Sequence, residues 1–342
     1  MSTKNFTIAN FYLRKHYENG IRLGVDAALM RNAAGVSPEL LAQPLARLAP
    51  EQLARLFHVI WEKSDDEFLG MTHRAVRYGS FAWLAERLVR CDTLGEMYDT
   101  MLSFYNLITE GVRFELRHEG KQARFMLHHE PELNGRINLL IDFLLLIWHR
   151  FPGWLVGRTI PLHHVELAFP KPWHSAEYRF VFPAPCRFNQ GHSALVFDSR
   201  WLATSLVQTP GNLAEHLKQI PLQWFQKPHY PRLLSYRVTQ LLADSRRDAC
   251  NEMNTIALRL NMSVRTLRRK LADEGVSFQQ LKDALRRDQA INLLGKKEIP
   301  IATVGQQIGF TEPSAFSRAF RLWTGMSPTD YRQGLNPTLG VK

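Results

Sequence analysis

Residues Gly309 to Gly325 read GFTEPSAFSRAFRLWTG. Gly309 suits a left-handed turn. Phe316 and Phe320 are four apart, so they lie on one face of a helix, and neither Arg318 nor Arg321 falls on that face. Such a helix buries an apolar back and leaves a cationic front in solvent. Some fifty residues upstream, Ile256 to Ser277 read IALRLNMSVRTLRRKLADEGVS, a looser copy of the same plan.

The correspondence runs the length of both segments. A short helix carries a small residue on its packing side (Ala257, Gly305). A residue tolerant of left-handed backbone follows (Asn261, Gly309), then an apolar one (Met262, Phe310) and a hydroxyl that can cap a helix (Ser263, Thr311). Apolar pairs four apart come next, Leu267 with Leu271 and Phe316 with Phe320, and Arg269 and Arg318 each stand two places after the first of the pair. Gly275 with Ser277, and Gly325 with Ser327, close the units. The second copy has one extra residue before its apolar pair and another before its closing glycine. Two helices, a tight turn and one apolar face are the requirements of a helix-turn-helix whose second helix enters a major groove.

The free faces suit that task. The first offers Arg265, Arg268 and Arg269 with Thr266 beside them; the second offers Ser314, Ser317, Arg318 and Arg321. Arginine can donate two hydrogen bonds to guanine, and serine or threonine can read either base edge. Base reading is expected from Arg265, Thr266, Arg268, Arg269, Ser314, Ser317 and Arg318. Phosphate contact is expected from Ser263, Arg286, Arg287, Thr311 and Arg321. Between the units, FQQLKDALRRDQAINLL (Phe278 to Leu294) has the apolar spacing of an amphipathic helix. At 1.5 Å per residue it is roughly 25 Å long, a strut able to hold two reading helices about one DNA turn apart, ~34 Å.

These residues resemble the DNA-binding domain of AraC/XylS-type transcription regulators. The likeness covers the last ~110 residues. It rests on the first unit, on the strut with Arg286, Ala290, Leu293 and Leu294, and above all on Ile308-Gly309-Phe310, Ser314, Phe316 to Phe320, Thr324 to Pro328 and Tyr331-Arg332. By resemblance, the N-terminal ends of both second helices read bases. Gly305 stands where the family usually has alanine, and Asn261 where it usually has glycine. The first two hundred residues look like the effector-binding domain of the arabinose-binding-like branch, through Arg77-Tyr78-Gly79, Thr93 to Glu96 and Ala194 to Asp198. That likeness implies a sensing and dimerising module with a small organic ligand, RNA polymerase as a transient partner, and a role that in this family is more often activation.

Before that helical end, residues up to about Leu69 read as helical. Ala34 to Pro38 look like the turn of a further helix-turn-helix, but the helix after it lacks basic residues. Two helices meet at Cys91-Asp92-Thr93. Val112 to Leu116, Ala123 to Leu127, Val165 to Phe169, Tyr178 to Phe182 and Ala194 to Phe197 read as strands, and Ile137 to His149 as a helix. The expected architecture is an α+β effector domain (1–210), a proline-punctuated linker (211–231) and an all-α domain (232–342), with helix-turn-helix motifs at 255–275 and 301–325 and the strut at 278–294. Phe104, Tyr105, Phe143, Trp148 and Phe180 are candidates for lining a ligand pocket.

Charge placement agrees. The formal net charge is +11; from Arg232 onward 18 lysines and arginines face 10 acids, so the other 231 residues carry only +3. A basic third suits a polyanion such as double-stranded DNA. Three scattered cysteines imply neither a disulfide framework nor a cysteine-rich zinc site, and fit a reducing, cytoplasmic setting. No apolar run approaches the ~18 residues of a membrane span. His128-His129 and His163-His164 point to opposite faces of a strand and have no ligand-spaced partners, so no metal and no cofactor is expected. No enzyme motif is present: no GxSxG, Walker loop or Rossmann fingerprint. A DNA-repair alkyl-transfer protein would need a four-cysteine cluster. A constitutive DNA-binder without ligand stays open, separable by ligand-dependent footprinting.

Overall fold

The computed structural model describes residues 6–129, 136–182, 184–226, 233–244 and 253–335, without the side chains of residues 136, 137, 180 and 244. It divides into two compact units. One comprises Lys15–Met30 and Ala54–Lys227, the other Met1–Arg14, Arg31–Leu53 and Pro228–Lys342. The division differs from the contiguous one expected, because two stretches of the first fifty-three residues group with the C-terminal end. The boundary falls within α1 (Asn10–Arg22), α2 (Ala27–Ala34) and α4 (Pro50–Ser64).

The first unit is α+β. Its five-stranded sheet has the order β3-β4-β7-β5-β6, with β3 (Val112–Glu119), β4 (Gln122–His129), β5 (Leu162–Glu166), β6 (Cys186–Arg187) and β7 (Ser193–Asp198). All pairs are antiparallel except β5 with β6. β3 and β4 are joined at Gly120, whose φ of +60° supplies the tight turn. α5 (Ser80–Leu88), α6 (Leu94–Ile108, capped by Thr93) and α7 (Arg136–Leu155) complete the core. Tyr98 of α6 stacks on Phe197 and lies against Phe125. Among the sheet's polar side chains, Glu166 accepts from Arg124 (2.6 and 2.7 Å) and pairs with His164 and His192 (3.0 Å each). Burial pushes this carboxyl up, but Arg124 and His164 hold it below the ordinary range.

Two expectations fail here. Tyr178 to Phe182 form no strand: residues 178–181 make a short helix, α8, and the Phe182 N–H closes on the Tyr178 carbonyl. Apolar residues at 178 and 182 fit a helical turn as well as an alternating strand, and the Tyr178 hydroxyl binds the buried Asp142 of α7 (2.7 and 2.8 Å). The proline-rich stretch after 210 is no open linker. Thr209 caps α9 (Pro210–Gln219) with Pro210 at the first position, where its missing N–H costs nothing. α10 (Leu222–Phe225) follows, with Leu213, Trp224 and Phe225 buried.

The second unit is helical. α11 (Leu234–Asp244), α12 (Met253–Arg259), α13 (Val264–Asp273) and the first turns of α14 (Phe278–Leu294) share one core built on Val238, Ile256, Leu267, Leu271 and Phe278. Glu274 accepts the Leu234 and Ser235 N–H groups at the start of α11 (2.7 and 2.9 Å). α14 opens on a capping box between Ser277 and Gln280. Its far end packs with α15 (Ile301–Gln307) and α17 (Pro328–Gly334), and α16 (Pro313–Thr324) packs on both of those.

To this second half the N-terminal stretches add α3 (Pro38–Ala42) and a two-residue antiparallel pair, β1 (Ile8–Ala9) with β2 (Arg47–Leu48). The helix-turn-helix-like passage Ala34 to Pro38 is thus scaffold. α3 lies on α17, where the Ser37 N–H reaches the Gly334 carbonyl (2.9 Å) and a Cβ on Gly334 would stand 2.9 Å from Leu40. Buried Arg47 donates to the Thr7 hydroxyl and carbonyl (2.9 and 2.7 Å), Thr7 donates to Asp288 of α14 (2.5 Å), and the Tyr331 hydroxyl donates to the Arg47 carbonyl. Arg47 Nε lies 4.0 Å from Asp288.

A buried cation stripped of its partner is costly. Asp288→Ala is therefore expected to lower stability by about 3 kcal/mol, read as a shift of the urea midpoint at constant slope; a shift under about 0.5 kcal/mol, the scale of an ordinary surface change, would show that Asp288 is not what compensates Arg47.

Candidate functional site

The second helices of the two helix-turn-helix units, α13 and α16, have the same register when counted from their caps. Ser263 caps α13 through its hydroxyl to the Thr266 N–H (3.1 Å). α16 was expected to be capped by Thr311. Its N-cap is instead Glu312, which makes no side-chain cap bond. Pro313 accounts for the shift, because it fits the first helical position and holds the residue before it extended; Glu312 has φ −109° and ψ 125°. The extra residue of the second copy is thereby absorbed before the helix begins. Four residues past each cap stand Leu267 and Phe316; Arg265 then matches Ser314, Arg268 matches Ser317 and Arg269 matches Arg318.

Burial sorts these helices sharply. Leu267, Leu271 and Phe320 are 0% exposed and Phe316 is 1%. Arg265, Arg268, Arg269, Ser314, Ser317, Arg318 and Arg321 are all exposed, and Thr266 is half-buried. The Ser317 hydroxyl donates back to the Pro313 carbonyl (3.0 Å), leaving its lone pairs outward. Ser263 and Thr311 are exposed beside the turns. Asn261 and Gly309 adopt φ of +53° and +88°, the left-handed turns expected. Gly305 has a packing reason: a Cβ there would lie 3.1 Å from the Phe316 side chain, so the absent methyl lets that ring settle onto α15.

The strut arginines are held within the protein. The Arg286 guanidinium sits 5.3 Å from the centre of the Phe310 ring, a cation–π contact across the second turn. Arg287 pairs with Asp288 (3.2 Å) and its side chain is 17% exposed.

The α+β unit contains a cavity of about 320 Å³. Trp61, Phe81, Tyr105, Phe143, Trp148 and Trp224 line it, and α9 and α10 contribute Leu217 and Trp224 on either side of Ile220. Of the expected ligand residues, Tyr105, Phe143 and Trp148 line it. Phe104 does not, and stacks on exposed Trp83 instead (5.5 Å); the side chain of Phe180 lies outside the described residues. Glu67 is also in the wall. Its carboxylate accepts the Gly79 N–H (2.9 Å) and the Phe81 N–H (3.0 and 3.2 Å) at the start of α5. Burial pushes its pKa up to about 8, against the pull of the two N–H donors. Nearby His58 is lowered by burial, with Glu62 opposing. Among the described residues no cluster of three or more metal-ligating side chains occurs, and no helix is long and apolar enough to cross a membrane.

Residues 24–206 match the model of the arabinose-binding domain of AraC transcription regulators, and residues 256–334 match a helix-turn-helix domain model. The chain belongs to the AraC family of transcription regulators. The ornithine utilization regulator of Pseudomonas aeruginosa is 25% identical over 311 residues, 91% of each chain. The transcriptional regulator VqsM of the same organism is 39% identical over 97 residues, 28% of this chain and 30% of that one. Among solved structures, the regulator CdpR of Pseudomonas aeruginosa covers 80% of this chain and 85% of its own, at 20% identity and TM-score 0.32. As an AraC-family member, the protein is a DNA-binding regulator with an N-terminal effector-binding domain.

Glu67 escaped the sequence reading. It stands beside Asp65 and Asp66 in the sequence, and only the turn at Gly79 brings two backbone donors to it. Leu217 and Trp224 were missed as wall residues for a different reason, although the Thr209-Pro210 helix start was there to be read.

The left-handed turns admit a direct check. Gly309→Ala would force a side chain into positive φ with its Cβ 3.3 Å from Arg286 Nη2, and is expected to lower stability by about 1 to 2 kcal/mol. Asn261→Gly should shift the urea midpoint the opposite way. Equal midpoints for both variants would contradict the turn geometry.

Proposed function

We propose that this AraC-family regulator reads DNA bases with Arg265, Thr266, Arg268, Arg269, Ser314, Ser317 and Arg318, placing α13 and α16 in two successive major grooves. The observation that carries this is the shared register: from each cap, apolar residues occupy the same buried positions and polar or cationic residues the same exposed ones. Ser263, Thr311 and Arg321 flank those faces and are assigned to phosphate. Arg286 and Arg287 are assigned there too, in a secondary role, since cation–π and ion-pair contacts already engage them. The regulator acts in the bacterial cytoplasm as a homodimer on adjacent half-sites, activates transcription, and touches RNA polymerase transiently.

A small organic effector occupies the aromatic cavity and favours one arrangement of the protein. Only unequal affinity for two arrangements can drive such a shift; a coupling of ~1 to 3 kcal/mol gives a 5- to 150-fold response. The relative named for ornithine utilization supports a place in the control of small-molecule catabolism.

Arg318→Ala is expected to cost ~1 to 3 kcal/mol on the specific site and much less on random duplex; equal losses on both, by fluorescence anisotropy, would refute base reading. Arg321→Ala should weaken all duplexes alike and reduce the salt slope by about 1. For the effector, a thermal-shift screen of metabolites should yield ligands that raise Tm by mass action, and Ala82→Trp, which fills the cavity from its wall, should abolish their effect. Hits indifferent to Ala82→Trp would move the effector elsewhere.

A further inference from the structure

This inference rests on the cavity being the effector site, and concerns what kind of molecule fits it. The chain is strongly cationic, with a formal net charge of +11, yet among the described residues no lysine or arginine lines the cavity. Its ionisable wall residues are one glutamate, one histidine and two tyrosines. Glu67 is 9% exposed and, among the described residues, pairs with no cationic side chain. A buried carboxyl without a counter-charge is a costly arrangement. Two backbone N–H groups meet part of that cost. They also keep the carboxyl oxygens fixed at the wall.

Around it stand aromatic faces, whose negative quadrupoles attract cations and repel anions. Trp61 and Tyr78 stack at 6.0 Å, and Trp224 meets Phe81 edge-on at 5.0 Å. The local field has the same sign at Tyr78, 43% exposed: burial, Glu62 and Glu67 all raise its pKa. A further observation concerns donors. Trp148 and Trp224, 1% and 2% exposed, line the cavity, and neither indole N–H has a hydrogen-bond partner among the described residues. Buried donors are normally satisfied, so two such donors in one cavity wall are available to an acceptor on a ligand.

We propose that the cavity takes a small organic amine, its ammonium group held by Glu67 among the aromatic faces and an acceptor group of the same molecule taking an indole N–H of Trp148 or Trp224. A carboxylate ligand without an amine would meet Glu67 and the aromatic faces with the wrong sign. An ammonium group beside Glu67 favours the ionised carboxyl and offsets the cost of burying it, which a neutral ligand does not do. An amine bearing a carboxylate or carbonyl satisfies both unmet groups, and about 320 Å³ lies at the small end of ligand cavities.

The test uses the full-length protein and titrates pentylamine, 5-aminopentanoate and L-lysine against pentanoate and 1-pentanol. Binding is followed by thermal shift and by tryptophan fluorescence. At least one amine is expected to bind ten or more times more tightly than pentanoate and pentanol. Glu67→Gln keeps a carbonyl oxygen for the Phe81 N–H but carries no charge. It should fold, with a far-UV circular dichroism spectrum like that of wild type, while losing at least tenfold in amine affinity. Trp148→Phe should weaken 5-aminopentanoate more than pentylamine if that indole donates to the acceptor, and Trp224→Phe if the other does; amine-only behaviour in both variants would remove the acceptor half of the assignment. Amines that bind Glu67→Gln as tightly as wild type, or that bind no better than the acid and the alcohol, overturn the proposal. The two layers fail separately. Metabolite hits that are acids or neutral molecules, lost in Ala82→Trp but kept in Glu67→Gln, leave the cavity as effector site and sink the amine. Hits unaffected by Ala82→Trp sink the cavity reading itself.

Discussion

A short helix can hide only one of its faces, and that constraint governs the DNA-binding end of the molecule. Leu267 with Leu271, and Phe316 with Phe320, are removed from water almost completely. Burying each such side chain is worth roughly 1.5 to 3 kcal/mol, a driving force that surface arginines do not match, since exposed charge pairs contribute ~0 to 1 kcal/mol. The apolar positions therefore decide the rotation of each helix, and the arginines follow. Turn and cap supply the rest. Left-handed backbone at Asn261 and Gly309 reverses the chain, and the caps at Ser263 and Glu312 start α13 and α16 at equal distance from the buried pair.

The second helix-turn-helix is completed by residues far from it in the chain. Its core is closed by α17 and by α3, and Thr7, Arg47, Asp288 and Tyr331 form a buried polar junction among the N-terminal stretches, the strut and the last helix. A contact that spans 281 residues, such as Thr7 to Asp288, gives no local packing until the chain has closed a long loop, an entropic cost that grows slowly with length. The junction is polar, so it is demanding about geometry: each donor must meet its acceptor or leave an unpaired buried group. Such an arrangement specifies one register between N-terminal and C-terminal stretches, where an apolar patch would tolerate several.

What could be read from the sequence follows from the range of the interaction responsible. The helix-turn-helix pair was legible because its pattern is local: spacing of four, a turn residue, a cap. The β3–β4 hairpin was legible for the same reason, through alternation and a turn at Gly120. The alternation at Tyr178 to Phe182 misled, since residues 178 and 182 also share a helical face and Asp142 of α7, remote in sequence, takes the Tyr178 hydroxyl. The N-terminal contribution to the helical unit was illegible: nothing near Arg47 announces that its counter-charge lies in the strut. Of the aromatic candidates for a pocket lining, Tyr105, Phe143 and Trp148 stand in the cavity wall, while the acid in that wall had no local signal.

Charge explains how one chain can serve two opposite electrostatic tasks. Solvent screens interactions between exposed charges beyond about 8 to 10 Å at physiological salt, so the arginines of α13 and α16 set the field of their own surface and little else. Inside the cavity the effective dielectric is lower, and burial acts on a carboxyl more strongly than the distant net charge of the chain does. Glu67 shows it: a surplus of eleven positive charges has not lowered its pKa, which burial instead pushes up to about 8. The polyanion-binding surface and the acid-lined cavity are thus compatible in one small protein. The first depends on many exposed cations acting together, and the second on a wall that, among the described residues, contains none of them.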